Sequence, residues 1–137
     1  MYCRLKFNFN LKTMIMANKT ILVIEDNELN MKLVKSLLKM GNYGILEAPD
    51  AETGMKLLRE KKPDLILMDI QLPGMDGLTA TKVIKADPDM KDIPVVAFTS
   101  FAMEGDEKTA FSAGCVGYIT KPIDTQNFLE TLEEFLK

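Results

Sequence analysis

Four apolar residues, Leu65, Ile66, Leu67 and Met68, follow one another without a polar interruption. A run this short and this uniformly apolar suits a strand covered on both faces, as in a parallel sheet. Asp69 stands where the run stops, and Leu72-Pro73-Gly74 and Asp76-Gly77 then turn the chain. The pattern therefore predicts a carboxylate projecting from the carboxyl end of a buried strand, the edge at which open α/β sheets bind ligands.

Before and after this run, the same alternation of apolar strand and amphipathic helix repeats. A β-branched strand is predicted over 20–24. Asn27 caps a helix through about residue 40, with Leu33, Val34, Leu37 and Leu38 on its inward face and Gly41 at its end. Residues 45–48 read as a second strand, and Asp50 caps a helix that turns Ala51, Gly54 and Leu58 inward before Pro63 closes it. A short helix over 78–86, a strand over 95–98, a weakly amphipathic helix over 103–113 and a strand over 116–119 follow. Asp124 caps a last helix with Phe128, Leu132, Phe135 and Leu136 at helical spacing. Strands separated by single helices require right-handed crossovers. The expected fold is a doubly wound α/β domain: a five-stranded parallel sheet in order 2-1-3-4-5 with five helices on its two faces.

Residues 1–18 do not share this pattern. Phe7, Phe9, Leu11 and Ile15 nearly alternate with Asn8, Asn10 and Lys12, which suits an edge strand. A leader from an upstream start codon, with no structural role, suits the segment better, since Met14 and Met16 both precede the first clear strand. Lys6 and Lys12 break any apolar region a signal peptide would need. The expected division is an extension over 1–18 and one domain over 19–137.

Composition narrows the chemistry. At 137 residues, the chain has room for one ordinary domain. A net charge of −3, with no block of like charge, gives no footprint for nucleic acid or an anionic membrane. No apolar stretch approaches the roughly 20 residues of a membrane helix. Cys3 and Cys115 are too few for a disulfide framework, which favours a reducing cytoplasm. With no histidine in the chain, a Ser-His triad and an imidazole-ligated metal are excluded.

The polar residues that end strands all fall on one edge: Glu25 and Asp26 after the first, Asp69 at the third, Thr99 and Ser100 after the fourth, Thr120 and Lys121 after the fifth. In the order 2-1-3-4-5, strands 1 and 3 are neighbours, so Glu25, Asp26 and Asp69 share a crevice. Three adjacent carboxylates raise one another's pKa unless a cation sits among them. Oxygen ligands without His or Cys select Mg²⁺ or Mn²⁺.

Glu25-Asp26, Asp69, Thr99 and Lys121-Pro122, each at a strand end over 19–137, resemble the receiver domain of two-component response regulators. Asp-Asn-Glu-Leu-Asn-Met-Lys (26–32), Met-Asp-Ile-Gln-Leu-Pro (68–73) and Phe-Ala-Met (101–103) strengthen that resemblance, and also occur in receivers of hybrid histidine kinases. The resemblance implies a flavodoxin-like, CheY-like fold and a phosphoryl group accepted on Asp69 from a histidine kinase or histidine phosphotransfer protein. It implies Mg²⁺ or Mn²⁺ held by Asp26, Asp69 and the Gln71 backbone carbonyl, with Glu25 acting through water. Lys121 then supplies a second positive charge, Thr99 and Tyr118 form the switch, and the Lys121–Pro122 bond is cis. The positions two residues past Asp69 and Thr99, Gln71 and Phe101, lie nearest the path of a hydrolytic water, and the apolar cover of Phe101 implies a long-lived phosphorylated state.

Other classes fit less well. A haloacid-dehalogenase-type phosphatase needs an aspartate two residues after its nucleophile, where this chain has Gln71. A flavodoxin-like cofactor binder needs a phosphate cradle after the first strand, where Glu25 and Asp26 repel phosphate. With the fifth helix at the end of the chain, signalling is expected to pass through protein contacts, by a single-domain regulator or an excised hybrid-kinase receiver. Leu29 and Met31, off the inward helical stripe, are the expected kinase contact, together with Pro122 and Ile123.

Overall fold

The computed structural model describes residues 19–99 and 106–136. Ten elements alternate through it: β1 (Thr20–Ile24), α1 (Glu28–Met40), β2 (Gly44–Ala48), α2 (Ala51–Lys61), β3 (Leu65–Asp69), α3 (Gly77–Ala86), β4 (Val95–Thr99), α4 (Asp106–Ala113), β5 (Gly117–Thr120) and α5 (Phe128–Leu136). The strands form one parallel sheet in the order β2-β1-β3-β4-β5. This is the expected doubly wound arrangement. Residues 1–18, Ser100, Phe101 and the expected helix start at Met103 lie outside the described residues.

The two faces of the sheet carry two separate cores. Alternate residues of the central strands, Leu22, Ile66, Met68 and Ala97, pack with Leu58, Ile84 and Ala110 on one side. Their neighbours Ile21, Val23, Leu65, Leu67, Val96 and Phe98 pack with Val34, Leu38, Phe128 and Leu132 on the other. Because both faces are covered, β3 and β4 are buried at every position, and this explains their unbroken apolar runs.

Local chemistry fixes the helix starts. The side chains of Asn27, Asp50 and Asp76 each accept the backbone N–H three residues on, from Asn30, Thr53 and Thr79 at 3.0, 2.7 and 2.8 Å. Asp76 was not among the expected caps, because the turn residues around it read only as loop. The expected Asp124 cap is one turn too early. Its carboxylate accepts from the Gln126 N–H and the Asn127 side chain, shaping a turn that precedes α5. Gly41 does end α1, but with φ −88°, and the left-handed residue is Asn42. Glycine is needed at 41 for space, since a Cβ there would stand 2.8 Å from the Tyr43 ring.

Two further expectations are corrected. On α1 Leu33 is 38% exposed, whereas Met31 packs against the core with Val34, Leu37 and Leu38. A helix advances about 100° per residue, so the stripe through 31, 34, 37 and 38 leaves position 33 on its flank. The fifth strand begins at Gly117 rather than 116, because pairing with β4 starts at Val96 and Gly117, and Val116 projects into solvent.

Candidate functional site

The carboxyl edge of the sheet gathers the charged residues. Strand register sets Met68 beside Ile24 and Asp69 beside Phe98, so Glu25, one residue beyond β1, sits next to Asp69. Glu25 and Asp69 are buried, at 2% and 3% exposure, and Asp26 is exposed beside them. One oxygen from each of the three carboxylates lies within 4.8 Å of the others. A cleft of about 460 Å³ opens from Glu25 and Asp26 toward Met31, Lys32 and Lys35 of α1.

Lys121 reaches this cluster from the far side. Its backbone N–H donates to the Thr99 carbonyl at 2.8 Å, holding the start of the following loop against β4. Its ammonium donates to Glu25 Oε1 and to Asp69 Oδ2, the latter at 3.2 Å, and stands 4.6 Å from the centroid of the Phe98 ring. The Lys121–Pro122 bond is cis, as the resemblance implies. Thr99 is buried at the end of β4. Tyr118 is half-buried on β5 and packs against the core that contains Ala97. Pro122 is exposed, whereas Ile123 packs inward beside Phe128.

The loop after β3 is tied to the site. The Gln71 N–H donates to Asp69 Oδ1 at 2.9 Å, and the Gly77 N–H donates to the Ile70 carbonyl at 3.0 Å. Gly77 is required because a Cβ there would collide with the Asp69 carbonyl oxygen. Glu52 of α2 accepts the Met75 N–H at 3.3 Å and so braces the same loop.

Burial penalises ionisation of Asp69, and its hydrogen bond and repulsion with Glu25 add to that, while the Gln71 N–H and Lys121 work against it. Its carboxyl is pushed up to about 7. Burial opposes ionisation of Glu25 as well. Hydrogen bonds with Asp69, Lys121 and the Asn27 N–H outweigh it and hold Glu25 below the usual carboxylate range. The pair thus retains one proton toward neutrality, which marks an excess of negative charge that one ammonium does not cancel. A small divalent cation fits this donor set: three carboxylates within reach of one ion, with neither His nor Cys among them.

The structure brings Glu25, Asp26, Asp69 and Lys121 together, with Gln71 hydrogen-bonded to Asp69 and Thr99 one residue past Phe98. Leu29 is 76% exposed on the first turn of α1. Phe98 and Glu52 were not foreseen. Phe98 reads from sequence as one more apolar strand residue, and only pairing with Asp69 and the path of Lys121 bring its ring under the ammonium. Glu52 lies 23 residues from the N–H it accepts.

A family model for the response regulator receiver domain matches residues 21–133. The polar-differentiation response regulator DivK of Brucella anthropi is 46% identical over 118 residues, covering 86% of this chain and 96% of that protein. The receiver domain of the sensor histidine kinase PA1611 from Pseudomonas aeruginosa, with a magnesium ion coordinated in its active-site cleft, is similar at TM-score 0.80 and 28% identity, covering 87% of this chain and 98% of that one. The Mn²⁺-bound form of the response regulator Rcp1 is similar at TM-score 0.72 and 29% identity, covering 85% of this chain and 91% of that one. The receiver match takes in both sheet cores and every carboxylate of the rim, and this chain belongs to the response regulator receiver family.

Proposed function

We propose that Asp69 is the phosphoacceptor of this receiver and that Glu25, Asp26 and Lys121 are the machinery around it. The observation that carries this reading is the gathering of three carboxylates at the carboxyl edge, two of which, Glu25 and Asp69, meet the Lys121 ammonium. Receiver domains exchange signals with histidine kinases and downstream proteins. Here the donor is a phosphohistidine of a kinase or phosphotransfer protein. An Asp69 oxygen forms a bond to phosphorus as the P–N bond breaks, and the imidazole leaves with the bonding pair and takes a proton from water.

Asp26, Asp69 and the Gln71 backbone carbonyl would hold Mg²⁺, or Mn²⁺, with Glu25 in support through water. When bound, such a cation would offset the negative charge of the phosphoryl oxygens. Lys121 supplies a second, from the chain itself. Aspartyl phosphate adds acceptor oxygens and negative charge to the rim, giving the Lys121 ammonium and the Thr99 hydroxyl a new target. Thr99 and Tyr118 relay that change toward β5 and α5. Moving such an equilibrium from about 1:99 to 99:1 takes roughly 5.5 kcal/mol, within reach of a few charge-assisted hydrogen bonds.

The protein acts by signalling, its only chemistry being gain and loss of its own phosphoryl group, and its output passes through protein contacts. Residues 19–137 form the receiver and 1–18 an extension to it. A cytoplasmic receiver fits the scarcity of cysteine; among the described residues, no helix is long and apolar enough to cross a membrane.

Incubation with Mg²⁺ and acetyl phosphate, followed by intact mass measurement, tests the assignment. Wild type should gain one phosphoryl group and Asp69→Asn none. Labelling that persists in the mutant would overturn it.

A further inference from the structure

Across the carboxyl edge, Glu25, Asp69 and Phe98 form a row on one face of the sheet, and Phe98 pairs onward with Ile119, two residues before Lys121. The Lys121 side chain crosses this row. Its ammonium touches Glu25 and Asp69 and stands over the Phe98 ring, 4.6 Å from the centroid. The ring is 1% exposed and belongs to the core that also holds Leu67 and Phe128.

A buried hydrocarbon wall beside an ammonium strips water from it and gives nothing in return. An aromatic face does give something in return, because its quadrupole attracts the cation, and the attraction grows as water is excluded. It also differs in kind from the other two holds on Lys121. The Glu25 and Asp69 carboxylates lose their pull when protonated or claimed by a metal ion, and Asp69 loses its own charge when esterified. The ring's pull is independent of all three events.

Resting on the reading of Asp69 as phosphoacceptor, we infer that Phe98 is a positioning residue for Lys121. Its ring face keeps the ammonium over the acidic site when the carboxylates are engaged elsewhere, so that the second positive charge stays in place for phosphoryl transfer. Phe98 itself touches no reacting atom.

The test uses the full chain with Phe98 replaced site-specifically by 4-fluoro- and 3,4,5-trifluorophenylalanine, which nearly preserve shape but progressively weaken the ring's attraction for a cation. Thermal unfolding confirms that each variant is folded. Phosphorylation by acetyl phosphate with Mg²⁺ should slow stepwise along the series, by roughly three- to tenfold at the trifluoro ring. In parallel, the Lys121 εCH₂ proton resonances should lie upfield in wild type from the ring current, and should move downfield stepwise as fluorine is added. A trifluoro variant phosphorylated at the wild-type rate overturns the inference while leaving Asp69 as phosphoacceptor intact. If wild type itself is not labelled, the phosphoacceptor reading fails, and the Lys121 resonances decide alone: stepwise movement upholds the ring's hold on the ammonium and fixed resonances overturn it.

Discussion

At the scale of single residues, the controlling quantity is the charge at Asp69. Folded, its carboxyl holds a proton up to about pH 7, against an ordinary value of 3.8. Between those values the folded chain binds more protons than the unfolded one, so stability from this group is complete below 3.8 and is lost as pH rises through about 7. Calorimetry in chelator should therefore show wild type losing stability through this window, with a smaller loss in Asp69→Asn, whose amide does not ionise. Because a cation binds the ionised carboxylate, and stabilises only the state it binds, adding Mg²⁺ should raise the melting temperature more above pH 7 than well below it. An equal Mg²⁺ shift on both sides would show that the Asp69 proton does not compete with the metal.

At the scale of elements, α1 and α3 deliver different things to the rim. α3 begins immediately below Asp69, with the Thr79 N–H of its first turn accepted by the Asp76 side chain and Gly77 packed on the Asp69 backbone. Asp76→Ala should cost about 1 kcal/mol in denaturant unfolding, the usual worth of such a cap. A loss near zero would mean that water replaces the cap. On α1, Leu29 and Met31 differ in environment although two residues apart: Leu29 is 76% exposed and Met31 packs on the core. An isolated exposed leucine is ordinary, but one on the first turn of the helix that follows Glu25 and Asp26 is a candidate contact. Leu29→Glu should leave the melting temperature unchanged and slow phosphoryl transfer from the cognate kinase, with acetyl phosphate labelling intact. Met31→Glu should lower the melting temperature. A Leu29→Glu protein that receives phosphoryl groups at the wild-type rate would remove Leu29 from the docking surface.

At the scale of the molecule, the sheet separates two cores that share its backbone. Leu38 lies in one and Ile84 in the other, both with no exposed surface. Truncating either to alanine should cost about 2–5 kcal/mol. Since β1, β3 and β4 contribute side chains to both cores, each variant should still unfold in one transition seen alike by far-ultraviolet circular dichroism and tyrosine fluorescence. Two separated transitions in either variant would show that the cores melt independently.

What the sequence by itself determined was the order and kind of elements. Apolar runs covered on both faces, such as Leu65 to Met68, can be read locally, as can caps such as Asn27 and Asp50, whose partners lie three residues away. The identity of the rim carboxylates was legible for the same reason, since each stands at the carboxyl end of a strand or within two residues of it. What only the tertiary structure decided was everything that depends on which strand lies beside which. The contact of Lys121 with Glu25 spans 96 residues, the ring of Phe98 beneath that ammonium depends on register between β3, β4 and β5, and the reversal of Leu33 and Met31 depends on the angle at which α1 meets the sheet. Periodicity shows that a helix has an apolar face. Where that face is centred is set by the neighbour it packs against.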